Sequence, residues 1–113
     1  MLSFEDILKT EFSPEFVQKM KNRMVVSYAK YGPIARHFAQ GEASAFDGIL
    51  KRLDLYIETD NTEWLVDAAN YCMIEFMYPK FPKAHFKATD DSESPGPAGK
   101  FEGKVKVVEH KKD

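Results

Sequence analysis

Hydrophobic positions recur at helical spacing through three segments of the chain, and the Gly, Pro and polar positions between them mark where each helix starts and stops. In the first segment Phe16, Met20, Met24, Ser27 and Tyr31 follow one another at three or four residues, with Val17 and Tyr28 beside them. Ser13 stands where an N-cap belongs, Pro14 takes the first helical position, where a missing N–H costs nothing, and Gly32–Pro33 stops the run. In the second, Phe46, Ile49, Leu50, Leu53 and Ile57 predict a helix over 45–58, capped by Ser44. In the third, Asp60 and Glu63 read as a capping box, Leu65, Ala69, Cys72, Met73 and Phe76 as the buried face, and Tyr78–Pro79 as the end. Two shorter elements complete the pattern. One is a helix over 3–11, opened by Ser3 with Asp6 as its capping-box partner, and the other is a single turn over 34–39 before Gly41.

These elements predict an all-α fold: an antiparallel helical bundle of three to four main helices with an extended, largely irregular C-terminal tail. The helical domain is expected to occupy residues 1–87. Its last stretch, KFPKAHFK, reads as extended chain that packs its two Phe onto the helices. From Ala88 the sequence becomes acidic, small and Pro/Gly-rich, a composition that buries too little apolar surface to offset ordering entropy. Residues 88–113 are therefore expected to form a flexible tail, with one short strand in FEGKVKVVEHKKD able to dock on another surface.

Composition narrows the function classes. A length of 113 residues fits one domain, and nine Phe, five Tyr and five Met supply large side chains for a core or for an interface between copies. The single cysteine, Cys72, makes neither an internal disulfide nor a zinc cluster, and its place on an apolar face marks it as packing. A net charge of −2 argues against general nucleic-acid binding through phosphate neutralisation. MLSFEDILKTEF lacks the basic and apolar regions of a signal peptide, and no apolar run approaches the roughly 20 residues of a membrane span. A cytoplasmic protein is expected.

The candidate chemistry lies on the second and third long helices. Asp47, Lys51, Asp54 and Glu58 form one polar stripe, and Glu63, Asp67 and Asn70 form another. The short polar connection makes the two helices antiparallel neighbours, so the stripes can bring four carboxylates, Asp54, Glu58, Glu63 and Asp67, to one end of the hairpin. Four acids together need a cation, and oxygen-only ligands suit Mg²⁺. A metal there would activate water beside a phosphate chain, and Lys19, Arg23 or Lys30 on the basic first long helix, or Arg36 beyond it, would hold phosphate oxygens. The plain alternative is that both stripes face water, with Glu63 serving only as a cap. Asp67 and Asn70 resist that explanation because both interrupt an apolar run in mid-helix.

The order of elements resembles the MazG-like and dCTPase-like all-α nucleotide pyrophosphohydrolases. The stretch NTEWLVDAANYCMIEFM is similar to that family's second acidic helix, which opens with E-x-x-D. Asp67 matches the aspartate of that motif, whereas Glu63 lies one residue early and Trp64 takes the glutamate's place. The first motif, E-E-x-x-E, is matched only by Asp54 and Glu58, with Lys51 and Arg52 where acids are expected. The resemblance covers residues 14–77. It implies a Mg²⁺-dependent hydrolase of deoxynucleoside triphosphates that assembles as a homo-oligomer. Asp54, Glu58, Glu63 and Asp67 would hold the metal, Glu58 and Asp67 would act in catalysis, and Arg23, Lys30 and Asn70 would bind the nucleotide. A rival reading of the same residues is a non-catalytic, homo-oligomeric binding or regulatory module of viral or mobile-element origin, with the tail meeting a protein partner.

Overall fold

A computed structural model describes residues 2–89, and every structured element among them is helical. The helices are α1 (Phe4–Glu11), α2 (Pro14–Tyr31), α3 (Ile34–Phe38), α4 (Ala45–Thr59) and α5 (Glu63–Met77). The tail from residue 90, including its expected strand, lies outside the described residues. No helix among the described residues is long and apolar enough to cross a membrane.

Local chemistry sets most boundaries. Ser13 Oγ accepts the Phe16 N–H at 3.0 Å, and Ser44 Oγ accepts the Asp47 N–H at 3.2 Å, so both long helices begin on side-chain caps. Gly32, at φ +82°, ends α2 in a conformation that other residues rarely adopt. In α1 the capping box is complete: Ser3 Oγ accepts the Asp6 N–H at 3.1 Å, and Asp6 Oδ2 accepts the Ser3 N–H at 3.3 Å. The Ser3 backbone bond, with smaller help from the Ser3 hydroxyl and Lys9, holds the Asp6 carboxyl below its usual range. A depressed folded-state pKa stabilises above the ordinary carboxylate value and is lost as pH falls through the folded one. Helix α1 is therefore expected to fray first on acidification, at a pH below that at which an ordinary aspartate protonates. Residue-resolved NMR of α1 amides against pH checks this.

The turn between α4 and α5 is built differently from the capping box expected of Asp60 and Glu63. Asp60 adopts a left-handed conformation, φ 59°, and its N–H bonds to the Tyr56 carbonyl at 2.8 Å, closing α4. Thr62 takes the N-cap position of α5 without a side-chain bond, and Asn61 Oδ1, one residue earlier, accepts the Glu63 N–H at 3.0 Å. The connection is too short for Asp60 to finish one helix and cap the other.

Helices α4 and α5 form the most extensive pair, and α2 packs next against α5. The interface uses small residues. Ala45 and Ala68 are buried, and an added Cβ on Gly48 would lie 2.7 Å from the Tyr71 ring. The buried face of α5 consists of Val66, Ala68, Asn70 and Ile74. The expected face is displaced: Cys72 is exposed and Phe76 is 74% exposed. α5 is apolar around most of its circumference, so periodicity alone does not choose its inner side. After Met77 the chain is irregular, as expected of KFPKAHFK, but only one of its two Phe packs as predicted. Phe81 meets Phe46 edge to face at 5.7 Å, whereas Phe86 is 79% exposed.

Candidate functional site

The site grows from the contact of α2 with α5. Arg23 projects from the basic α2 toward the first two turns of α5. Its Nε–H donates to Asp67 Oδ1 at 3.3 Å, and its Nη1 lies 3.5 Å from Glu63 Oε2. One turn beyond Asp67, the buried Asn70 donates from Nδ2 to the Met20 carbonyl at 3.0 Å. These bonds explain why two poor helix formers sit in mid-helix: both tie α5 to α2.

A cavity of about 200 Å³ opens between α2, α3 and α5, with Arg52 entering from α4. Arg23, Lys30 and Arg52 line it, together with Asp67, Asn70 and Tyr71. Three cations thus meet Asp67 in the cavity and Glu63 at its edge, and Arg23 engages both acids, which leaves a local excess of one positive charge. The arrangement is electropositive in a chain that carries an overall charge of −2. Arg52 is fixed against Tyr71, its guanidinium carbon 4.4 Å from the ring centroid, and Phe38 meets the same ring edge-on at 6.3 Å. Arg52 Nε and Asn70 Oδ1 are both covered and have no hydrogen-bond partner among the described residues. Such groups cost stability where they stand, and Asp54 Oδ1 and Glu75 Oε1, which do not line the cavity, are covered and unpartnered in the same way.

Of the residues singled out in the sequence, Arg23, Lys30, Asp67 and Asn70 converge on this cavity, and Glu63 adjoins it through Arg23. Asp54 and Glu58 do not line it. Along α4 the positions facing the cavity and Tyr71 are Gly48 and Arg52, one turn apart. The stripe of Asp47, Lys51 and Glu58 is exposed, and Asp47 lies 3.9 Å from Lys80 Nζ. Among the described residues no three of His, Cys, Asp and Glu converge as a metal-holding group. Between Glu63 and Asp67 the Arg23 guanidinium already supplies the positive charge that a divalent ion would bring. This pair does not fit a metal while Arg23 stays there.

Trp64 and Tyr71 are legible in the sequence as aromatic residues able to stack on a base or to pack, whereas Arg52 and its contact with Tyr71 lie outside the polar stripes. The signal for that contact was Gly48, a glycine inside a helix, which marks a close approach on that face. The Arg23 pairs are only partly covered, with Asp67 side-chain exposure at 15% and Glu63 at 49%. Arg23→Ala is expected to cost about 1 kcal/mol, at the top of the range for exposed pairs, because Asp67 is well screened from water. The loss should shrink in 1 M salt, as read by urea denaturation.

His37 Nε2 lies 3.0 Å from the Tyr31 carbonyl, and His85 Nδ1 lies 3.0 Å from the Lys83 carbonyl, so both rings are in use locally. Burial against neighbouring side chains pushes the Cys72 thiol up from its usual range, which disfavours the reactive thiolate. Comparison with family models, with curated proteins and with solved structures finds no match for the chain.

Proposed function

We propose that this chain binds a phosphate-bearing small molecule of the nucleotide class in the cavity between α2, α3 and α5, beside Arg52 of α4. The observation that carries the reading is the gathering of Arg23, Lys30 and Arg52 around one cavity, where Arg23 is paired with Asp67 and Glu63 and the charges of Lys30 and Arg52 are in excess. Guanidinium groups match phosphate oxygens two at a time, and Arg52 is pre-oriented by its stack on Tyr71. Its covered Nε–H would gain an acceptor, and Asn70 Oδ1 would gain a donor from a sugar hydroxyl or base amine. The likeness of α4 and α5 to the acidic helices of nucleotide pyrophosphohydrolases supports the nucleotide class. The lone thiol is in keeping with a cytoplasmic setting. Binding, and not a Mg²⁺-dependent step, is the activity proposed, because Arg23 stands between Glu63 and Asp67.

The test is thermal melting of the full chain with nucleoside triphosphates, with inorganic phosphate and with the bare nucleosides, each with and without Mg²⁺. A triphosphate at about 100 times its dissociation constant stabilises the fold by about 2.7 kcal/mol. A shift with triphosphates that fades with added salt is expected. No shift with any triphosphate at low ionic strength overturns the reading, and pyrophosphate release with Mg²⁺ would extend it to hydrolysis.

A second reading, a homo-oligomeric helical module, is favoured by the thinness of the core. Among the described residues no large side chain is fully buried, while Leu2, Phe4, Val25, Tyr28, Tyr31, Phe76 and Phe86 are all more than 60% exposed. Such a chain gains much of its burial only on association.

A further inference from the structure

We propose that α1 is an exchanged arm, docking antiparallel on α2 of a second copy of the chain; this rests on the homo-oligomeric reading and adds its surfaces and register. α1 has no buried residue and makes no extensive contact with any other helix. Its apolar stripe is Phe4, Ile7 and Leu8, with Glu11 next on the same face, and Phe4 is 75% exposed. On α2 a complementary stripe runs through Lys21, Val25 and Tyr28, and the latter two are 70% and 63% exposed. Beside it Met24, Val25, Tyr28, Gly32 and Ile34 line an almost wholly apolar groove of about 290 Å³, with room for an aromatic ring.

The two stripes match in spacing and in charge. Phe4 to Glu11 and Tyr28 to Lys21 are both seven residues, about 10 Å of helix. Laid antiparallel, Phe4 faces Tyr28 and the groove, Ile7 faces Val25, and Glu11 faces Lys21. α1 is acidic, with Glu5, Asp6 and Glu11 against Lys9, and α2 is basic, with Lys19, Lys21, Arg23 and Lys30 against Glu15. The same acidity makes an anionic lipid surface a poor match for α1.

In this structure the chain does not make this contact with itself. Glu11 and Pro14 are separated by the extended residues Phe12 and Ser13, a reach of at most about 11 Å. Placing Glu11 beside Lys21 of its own α2 requires about 10 Å along the helix and about 5 Å between facing Cα atoms, roughly 12 Å in all, which would stretch the connection to its limit. A second copy removes the constraint, and a two-fold axis makes the exchange reciprocal.

The experiment uses the full chain with Cys72→Ser and the pair Ile7→Cys and Val25→Cys. Under oxidation a disulfide between residues 7 and 25 of different chains is expected, seen as a species of twice the chain mass without reductant. In sedimentation of the otherwise native chain, Phe4→Asp should raise the dimer dissociation constant about 10- to 100-fold. Lys21→Glu should raise it about 3- to 10-fold, with Glu11→Lys on the same chain restoring it. Phe4 and Lys21 are exposed, so neither change threatens the helical fold, which circular dichroism verifies. A dimer without the 7–25 link, or a link within one chain, overturns the arm exchange and leaves the homo-oligomeric reading standing. A monomer at all concentrations overturns both.

Discussion

Replacing Gly48 by valine is expected to destabilise the protein by about 3 kcal/mol, the upper end of the cost of overpacking a close helix contact. A Cβ at this position meets Tyr71 Cδ1 at 2.7 Å, Cε1 at 2.8 Å and Cγ at 3.1 Å. The ring has little freedom to retreat, because Arg52 lies over its face and Phe38 meets it edge-on. Gly48→Ala separates the two opposing effects. Alanine favours the helix by about 1 kcal/mol, and the collision costs about 1–3 kcal/mol, so a net loss of about 1 kcal/mol is expected. For a domain of this size each kcal/mol moves the melting temperature by about 4–8 °C. Removing the ring should remove the collision. In the pair Gly48→Ala with Tyr71→Ala the losses should fall short of their sum, a coupling that urea denaturation of the four proteins reads directly. Full additivity would mean that the two residues do not meet.

The second large effect concerns the ligand. Arg52→Ala should weaken binding of a nucleoside triphosphate by about 10- to 100-fold, the equivalent of losing one or two charge-assisted hydrogen bonds. Arg52→Lys should recover only part of this, since an ammonium keeps the charge and loses the planar fork held against Tyr71. Lys30→Ala should cost less, because its flexible ammonium lacks the planar fork and the ring that pre-orients Arg52. The control is Lys51→Ala, one residue away on the same helix and exposed to solvent, which should leave affinity unchanged. Calorimetric titration at two salt concentrations makes the comparison. Equal effects at Lys51 and Arg52 would mean that the protein's general field, and not the cavity, attracts the anion.

The contrast between Lys51 and Arg52 shows where reading the chain reaches its limit. Adjacent helical positions differ by about 100° around the axis, so a small error in helix facing exchanges one for the other. The acidic stripe of α4 was visible in the sequence, but its orientation was not. Asp54 and Glu58 fall outside the cavity, and Arg52 falls inside it. On α2 and α5, by contrast, Arg23, Lys30, Asp67 and Asn70 come together at one place. Asp67 and Asn70 were detectable because each contradicts its surroundings, a polar residue with poor helix propensity in an apolar run. That contradiction is resolved by Arg23 and by the Met20 carbonyl, partners 44 and 50 residues away along the chain.

What the chain determines by itself is local: the helices at 4–11, 14–31, 34–38, 45–59 and 63–77, and the caps of Ser3, Ser13 and Ser44. These depend on hydrogen bonds and backbone preferences within a few residues, which neighbouring letters specify. Tertiary structure alone decided which side of α5 turns inward and that Arg23 sits between the two acids of α5. A helix apolar on nearly every side offers several inner faces of similar energy, and only the approach of α4 through Ala45 and Gly48 and of α2 through Arg23 selects among them.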